Sequence, residues 1–144
     1  MVRLLTVALA ITVCLGCGKG DGLNRSSVEG KVTLDGAPVE KGSIAFSPTG
    51  GTKGPSVGGS IENGRYSFPA AKGPVAGKYR VELHAPKSTG KKIQAPMAAP
   101  GTMVDEIGDA MPAQFNSKST LEKEVKAGRN EIDFEVSTGG GKPK

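Results

Sequence analysis

The chain has 144 residues, enough for one domain and short for two. Its 22 Gly and 10 Pro disfavour helical bundles and coiled coils, because these residues most weaken helix interiors. One His and two Cys leave too few ligands for a multi-His or multi-Cys metal site, and the net charge of +5 is only a modest basic excess.

Residues 1–16 carry a single charge, Arg3, followed by an unbroken apolar or small stretch over residues 4–15. A bilayer span needs about 20 residues, so this stretch has the length of a signal peptide's apolar region instead. The segment Cys14-Leu15-Gly16-Cys17-Gly18 resembles a bacterial lipobox, in which a small residue precedes a cysteine that is lipid-modified and becomes the N-terminus. Cys14 stands where that pattern usually has Leu. The resemblance implies a lipoprotein signal peptide over residues 1–16 and lipidation at Cys17 with palmitate-class acyl chains. Several chains on one residue anchor stably where one alone is marginal. Cys14 is then discarded and Cys17 keeps no thiol, so no disulfide is expected. Gly18, rather than Asp, follows the cysteine, which by the same resemblance favours the outer over the inner membrane. Residues 17–27 are read as the lipidated Cys and a polar, Gly-rich flexible spacer.

From Val28 onward apolar residues recur at every second position in short runs separated by turn residues, the signature of strands. Val28, Gly30, Val32 and Leu34 form the first run, closed by Asp35-Gly36. Ile44 and Phe46 form the second, and residues 57–61 the third. Asn63-Gly64 then joins the third run to Tyr66 and Phe68, a strong hairpin signal because both turn positions tolerate positive φ. Tyr79, Val81 and Leu83 give a fifth strand. Leu121 and Val125, then Ile132, Phe134 and Val136, give the last two.

Seven short alternating strands predict an all-β fold, a seven-stranded antiparallel β-sandwich over residues 28–137. Residues 86–113 interrupt it as a long loop with no clear strand, a length commonly functional or disordered. Within it, Val104, Ile107 and Met111 are spaced to line one side of a short helix. Residues 138–144 read as a disordered polar tail.

The runs VEGKVTLDGAPVEKGSIAFSP, ENGRYSF and AGKYRVEL together resemble the carboxypeptidase regulatory-like, transthyretin-like group of β-sandwich domains, whose outline is also immunoglobulin-like. The ending MPAQFNSKSTLEKEVKAGRNEIDFEV resembles small planctomycete-type lipoproteins carrying that domain. The resemblance covers about residues 28–136 and implies an extracytoplasmic binding or structural module without assigned chemistry. One enzyme group of the transthyretin-like fold, the hydroxyisourate hydrolases, relies on several histidines and a Tyr-Arg-Gly-Ser ending. This chain has only His84 and ends Gly-Gly-Lys-Pro-Lys, so that activity is not expected.

Candidate chemistry is sparse. By parity His84 shares the polar face of its strand with Arg80 and Glu82, which favours a solvated or pairing side chain over a catalytic base. Asp105, Glu106 and Asp109 lack the ligand spacing and fixed Gly of a Ca²⁺ loop and read as an acidic helix start. Met97, Met103 and Met111 have no copper-site spacing and read as apolar plugs beneath the loop. The stretch from Gly50 through Gly54 lacks the phosphate-loop pattern. No catalytic residue, metal or cofactor is assigned.

The expected protein is therefore a membrane-anchored cell-envelope lipoprotein carrying a non-catalytic β-sandwich module. Its membrane contact is the lipid on Cys17, its further partner an envelope protein or polysaccharide, and nucleic acid is excluded outside the cytoplasm without interleaved aromatics. Candidate partner-binding residues are Lys87, Lys91, Lys92, Met103 and Asp105 in the long loop, although an apolar lid on the core is the favoured reading of that loop. An exposed sheet edge is the other candidate surface. The alternative is an envelope metal-binding protein or hydrolase using His84 and long-loop residues.

Overall fold

The computed structural model describes residues 22–139. In chain order the strands are β1 (Ser27–Leu34), β2 (Ala37–Pro38), β3 (Lys41–Thr49), β4 (Val57–Glu62), β5 (Arg65–Phe68) and β6 (Gly77–His84). They continue with β7 (Pro86–Gln94), β8 (Met103–Asp109), β9 (Glu122–Val125), β10 (Arg129–Glu131) and β11 (Phe134–Val136). Among the described residues the only helical element is a 3-10 turn at Ala113–Phe115. The all-β expectation holds, and each of the seven expected runs contributes to a strand.

Nine strands form one sheet in the order β10-β1-β5-β4-β3-β6-β9, with β11 and β2 also pairing with β1. Phe46 on β3 lies 6.4 Å, centroid to centroid, from Phe134 on β11. Those strands are four places apart, roughly 19 Å along a flat sheet. The sheet therefore curls over itself into a sandwich-like pair of layers, and the inward residues of each strand meet in between. Phe46 is at the centre, packed in tilted or edge geometry against Tyr66, Phe68 and Tyr79 as well. Such aromatic pairs add about 0.5–1.5 kcal/mol each beyond their buried area. The alternation of β6 delivers Tyr79, Val81 and Leu83, all fully buried, to this core.

Two expectations about the sheet are corrected. The described residues hold eleven strands rather than seven, and the pairing is not purely antiparallel, because β1 runs parallel to both β10 and β11. Alternation reveals which side of a strand is buried, but not its neighbour's direction. The Asn63-Gly64 hairpin is present as expected, with φ of 50° and 72° at the two residues and Glu62 opposite Arg65. β10 and β11 share one register on β1, and the gap between them is bridged. Ile132 N donates to Glu29 O at 2.8 Å, and Lys31 N donates to the Asp133 carboxylate at 2.7 Å.

The expected long loop over residues 86–113 is instead a β-hairpin, β7–β8, followed by the 3-10 turn. Val104 and Ile107 lie on a strand, not on a helix face. Both strands lack a buried face, so no apolar period marks them in the sequence.

The spacer also ends earlier than residue 27. Ser26 is buried with its N–H on Pro74 O at 2.8 Å, and Arg25 bridges to Val75 and donates to Gly73 O at 2.9 Å. At the other terminus Thr138 is held by its N–H and hydroxyl on the Asp35 carboxylate, at 2.9 and 2.8 Å. These bonds hold the Asp35 carboxyl below its usual range. Residues 1–16, Cys17 and 140–144 lie outside the described residues.

These anchor points fix a polarity. The chain joins the fold beside Val75, where β6 begins, whereas the β7–β8 hairpin leaves two residues after β6 ends at His84. The two points are separated by the length of an eight-residue strand, about 26 Å.

Candidate functional site

The β7–β8 hairpin pairs with no strand of the main sheet, and all nine residues of β7 are exposed. Its strands hold together through Ile93 opposite Val104, Gln94 opposite Met103 and Lys92 opposite Asp105. The last pair is a 2.8 Å ion bridge between exposed side chains. Exposed pairs of this kind contribute about 0–1 kcal/mol. Between Ser88 and Lys92 the register shifts, so that Thr89, Gly90 and Lys91 oppose Glu106 alone. Thr89 Oγ1 donates to the Glu106 carboxylate there, at 2.6 Å.

The tip is uncharged from Ile93 to Val104. The Gln94 side chain clamps it, its amide N donating to Ala99 O and its amide O accepting from Gly101 N, both at 3.0 Å. Met97 stands at the apex, fully exposed and in the left-handed region at φ 61°. A non-glycine residue is uncommon in that conformation, and such strain concentrates at binding sites. Met103, Ile107 and Ile93 are further exposed apolar side chains on the hairpin.

The hairpin's root is tied to the sandwich by one carboxylate. Asp109 Oδ1 accepts the N–H groups of Ala85 and Met111, each at 2.9 Å. Its Oδ2 contacts His84 Nδ1 at 2.7 Å and accepts from Asn116 Nδ2 at 3.1 Å. Burial works against ionisation at Asp109, but the Ala85 and Met111 N–H groups and the His84 ring outweigh it and hold the carboxyl below its usual range. Met111 and Phe115 are buried just beyond, capping the core.

Lys87, Lys91, Lys92, Met103 and Asp105 thus share one projecting element, and Lys92 meets Asp105 directly. The lid reading of this segment is overturned. Of the three methionines only Met111 is a plug, while Met97 and Met103 point to solvent at 109% and 51% exposure. With Met97 at the tip and Met111 in the core, they do not converge on a common ligand. Sequence reasoning passed over Gln94, Thr89 and Asn116, whose partners lie across a turn that carries no spacing signal. His84 sits on the polar face, as parity predicts, with its side chain 42% exposed.

A His paired with an Asp is half of a general-base arrangement. Ser43 lies directly opposite His84 on β3, yet among the described residues the only hydrogen-bond partner of the ring is Asp109. Both oxygens of Asp109 are occupied in holding the root together. Among the described residues no group of three or more His, Cys, Asp or Glu side chains is placed to hold a metal ion, and no helix is long and apolar enough to cross a membrane. No protein-family model matches this chain, and no curated protein matches its sequence.

Proposed function

We propose that this chain is a membrane-anchored cell-envelope lipoprotein, attached through Cys17 and favouring the outer membrane, whose carboxypeptidase regulatory-like, transthyretin-like domain is a non-catalytic binding module. The observation that carries the reading is the β7–β8 hairpin, which leaves the sandwich at the end opposite the N-terminal attachment. A two-stranded hairpin is marginally stable alone in water, and this one exposes Met97, Met103 and Ile107 without a covering layer. An arm of that kind gains from a partner's surface, and its root lies at the end of β6 remote from the attachment point. The partner is an envelope protein or polysaccharide.

The test places a photo-crosslinking side chain in the full chain within intact envelopes, either at Met97 or at Lys53, which follows Thr52, whose hydroxyl accepts from Lys78 N at the start of β6. A discrete adduct from position 97 and none from 53 is the expected result. Adducts from 53 alone, or an intact mass showing an unmodified N-terminus away from Cys17, would sink the proposal.

A second reading rests on the 2.7 Å contact between His84 and Asp109, a base held by its orienting carboxylate. In it the protein is an envelope hydrolase or metal-binding protein. His84→Ala separates the two: the module keeps its position-97 adduct, while a hydrolase or metal protein loses its activity.

A further inference from the structure

A different surface carries an inference beyond the hairpin. β4 pairs with β3 along six residue positions, but its other edge touches β5 at a single pair, Glu62 opposite Arg65. From there the strands diverge. A Cβ on Gly59 would stand 2.7 Å from the Phe68 ring, so that ring lies against the bare backbone of β4 on its inner face. Phe68 is in turn held edge-on by Phe46, 5.7 Å away.

The result is a cleft of about 770 Å³ lined by Gly58, Gly59 and Ser60 on one side and Ser67 and Phe68 on the other. Among the described residues no strand pairs with this edge of β4 between Val57 and Ile61, and β5 between Tyr66 and Phe68 pairs only with β1, on its other side. Backbone donors and acceptors at a free edge are a template for an incoming strand. Natural edges are commonly guarded by Lys, Pro or a bulge, and β4 from Val57 to Ile61 has none of these.

Charge specifies the incoming strand. Lys31 on β1 and Arg65 on β5 are directly opposed, and like charges in that position are destabilising. Both line the cleft with Lys72, and none of the three has an ion-pair partner among the described residues. The acids are fewer, because Arg129 already binds Glu29, leaving Glu62 and Glu131. The geometry points to a docking site for an extended, acidic segment of a partner protein, which adds to the edge of β4 by backbone hydrogen bonds and sets its carboxylates against Lys31, Arg65 and Lys72.

The experiment follows amide hydrogen exchange of the full chain in detergent with an alternating Glu-Val heptapeptide as probe. Saturating probe is expected to slow exchange within residues 57–61 roughly tenfold or more, as added strand pairing protects edge amides. A Lys-Val heptapeptide, or a Glu-Val heptapeptide interrupted by Pro, is expected to have no such effect. The double variant Lys31→Glu with Arg65→Glu changes only exposed side chains, and it is expected to reverse the preference toward the Lys-Val probe. Unchanged exchange at 57–61 with the Glu-Val probe overturns the proposal, and so does protection confined to residues 86–109. Concentration-dependent protection of 57–61 without probe, accompanied by dimers in sedimentation, assigns the edge to a second copy and overturns it as well.

Discussion

At Gly30 the space for a side chain is already taken. A Cβ there would lie 1.9 Å from the Ile132 carbonyl oxygen, which is fixed by a 2.7 Å hydrogen bond from the Tyr66 hydroxyl. Desolvation beneath the sheet, reinforced by the neighbouring Asp133 carboxylate, raises the Tyr66 pKa, so this hydroxyl stays a donor throughout the physiological range. Neither atom can retreat cheaply, since Ile132 is also tied to β1 through its own N–H. Gly30→Ala should therefore destabilise the domain by about 2–3 kcal/mol, the ordinary cost of forcing a methyl into a filled site. Denaturant unfolding measures this directly, and a change under about 0.5 kcal/mol, the range of an unremarkable surface substitution, would refute the packing argument. The sequence shows Gly30 as one beat of an alternating run. The need for glycine comes from a carbonyl about a hundred residues downstream, which no local pattern displays.

Among the elements, the Asn63-Gly64 hairpin was legible and the β7–β8 hairpin was not, and the difference is physical. The first carries its turn chemistry in two adjacent residues, flanked by strands that each bury one face, with Ile61, Tyr66 and Phe68 as the imprint. The second buries neither face, so PKSTGKKIQ shows charge where a half-buried strand would show alternation. Its partner strand betrays itself only through Val104 and Ile107, whose spacing of three suggests a helix. The site residues were found for the same reason that the element was missed: lysines, methionines and acids crowd a segment with no core to serve. Because the hairpin pairs only with itself, replacing residues 89–106 by a short Gly-Ser turn should leave the unfolding midpoint unchanged. The loss expected is of competition: unlike the unlabelled intact chain, this variant should fail to reduce the adduct formed by an intact chain labelled at position 97. The root is spared in this variant, since Asp109, Met111 and Asn116 remain. A fall of several kcal/mol would instead make the hairpin a strut of the fold.

For the molecule as a whole, polarity decides what each end can meet. The alternating runs were enough to predict an all-β fold with one aromatic core, because Phe46, Tyr66, Phe68, Tyr79 and Phe134 all fall on inward positions of their strands. They were silent on which ends of those strands come together, since that depends on the parallel pairing of β1 with β10 and β11. With that pairing known, Arg25, Ala71 and Gly128 mark one end, where they line a common cleft, and the root of the hairpin marks the other. On the lipoprotein reading, residues 18–24 connect Cys17 to the first end and reach at most about 24 Å when fully extended. Lys72 and Lys126 adjoin that end in sequence, whereas Lys91 and Lys92 lie on the hairpin, whose root is at the other end of β6. Tethering the lipidated chain to vesicles should therefore slow acylation of Lys72 and Lys126 by a bulky amine-reactive reagent, relative to the same protein released by cleavage in the spacer. Lys91 and Lys92 should react at the same rate in both states, as read by peptide mass mapping. Slowing at Lys91 and Lys92 instead would mean that the hairpin lies on the bilayer, so that its exposed methionines meet lipid and its role is attachment rather than recognition of a distant partner.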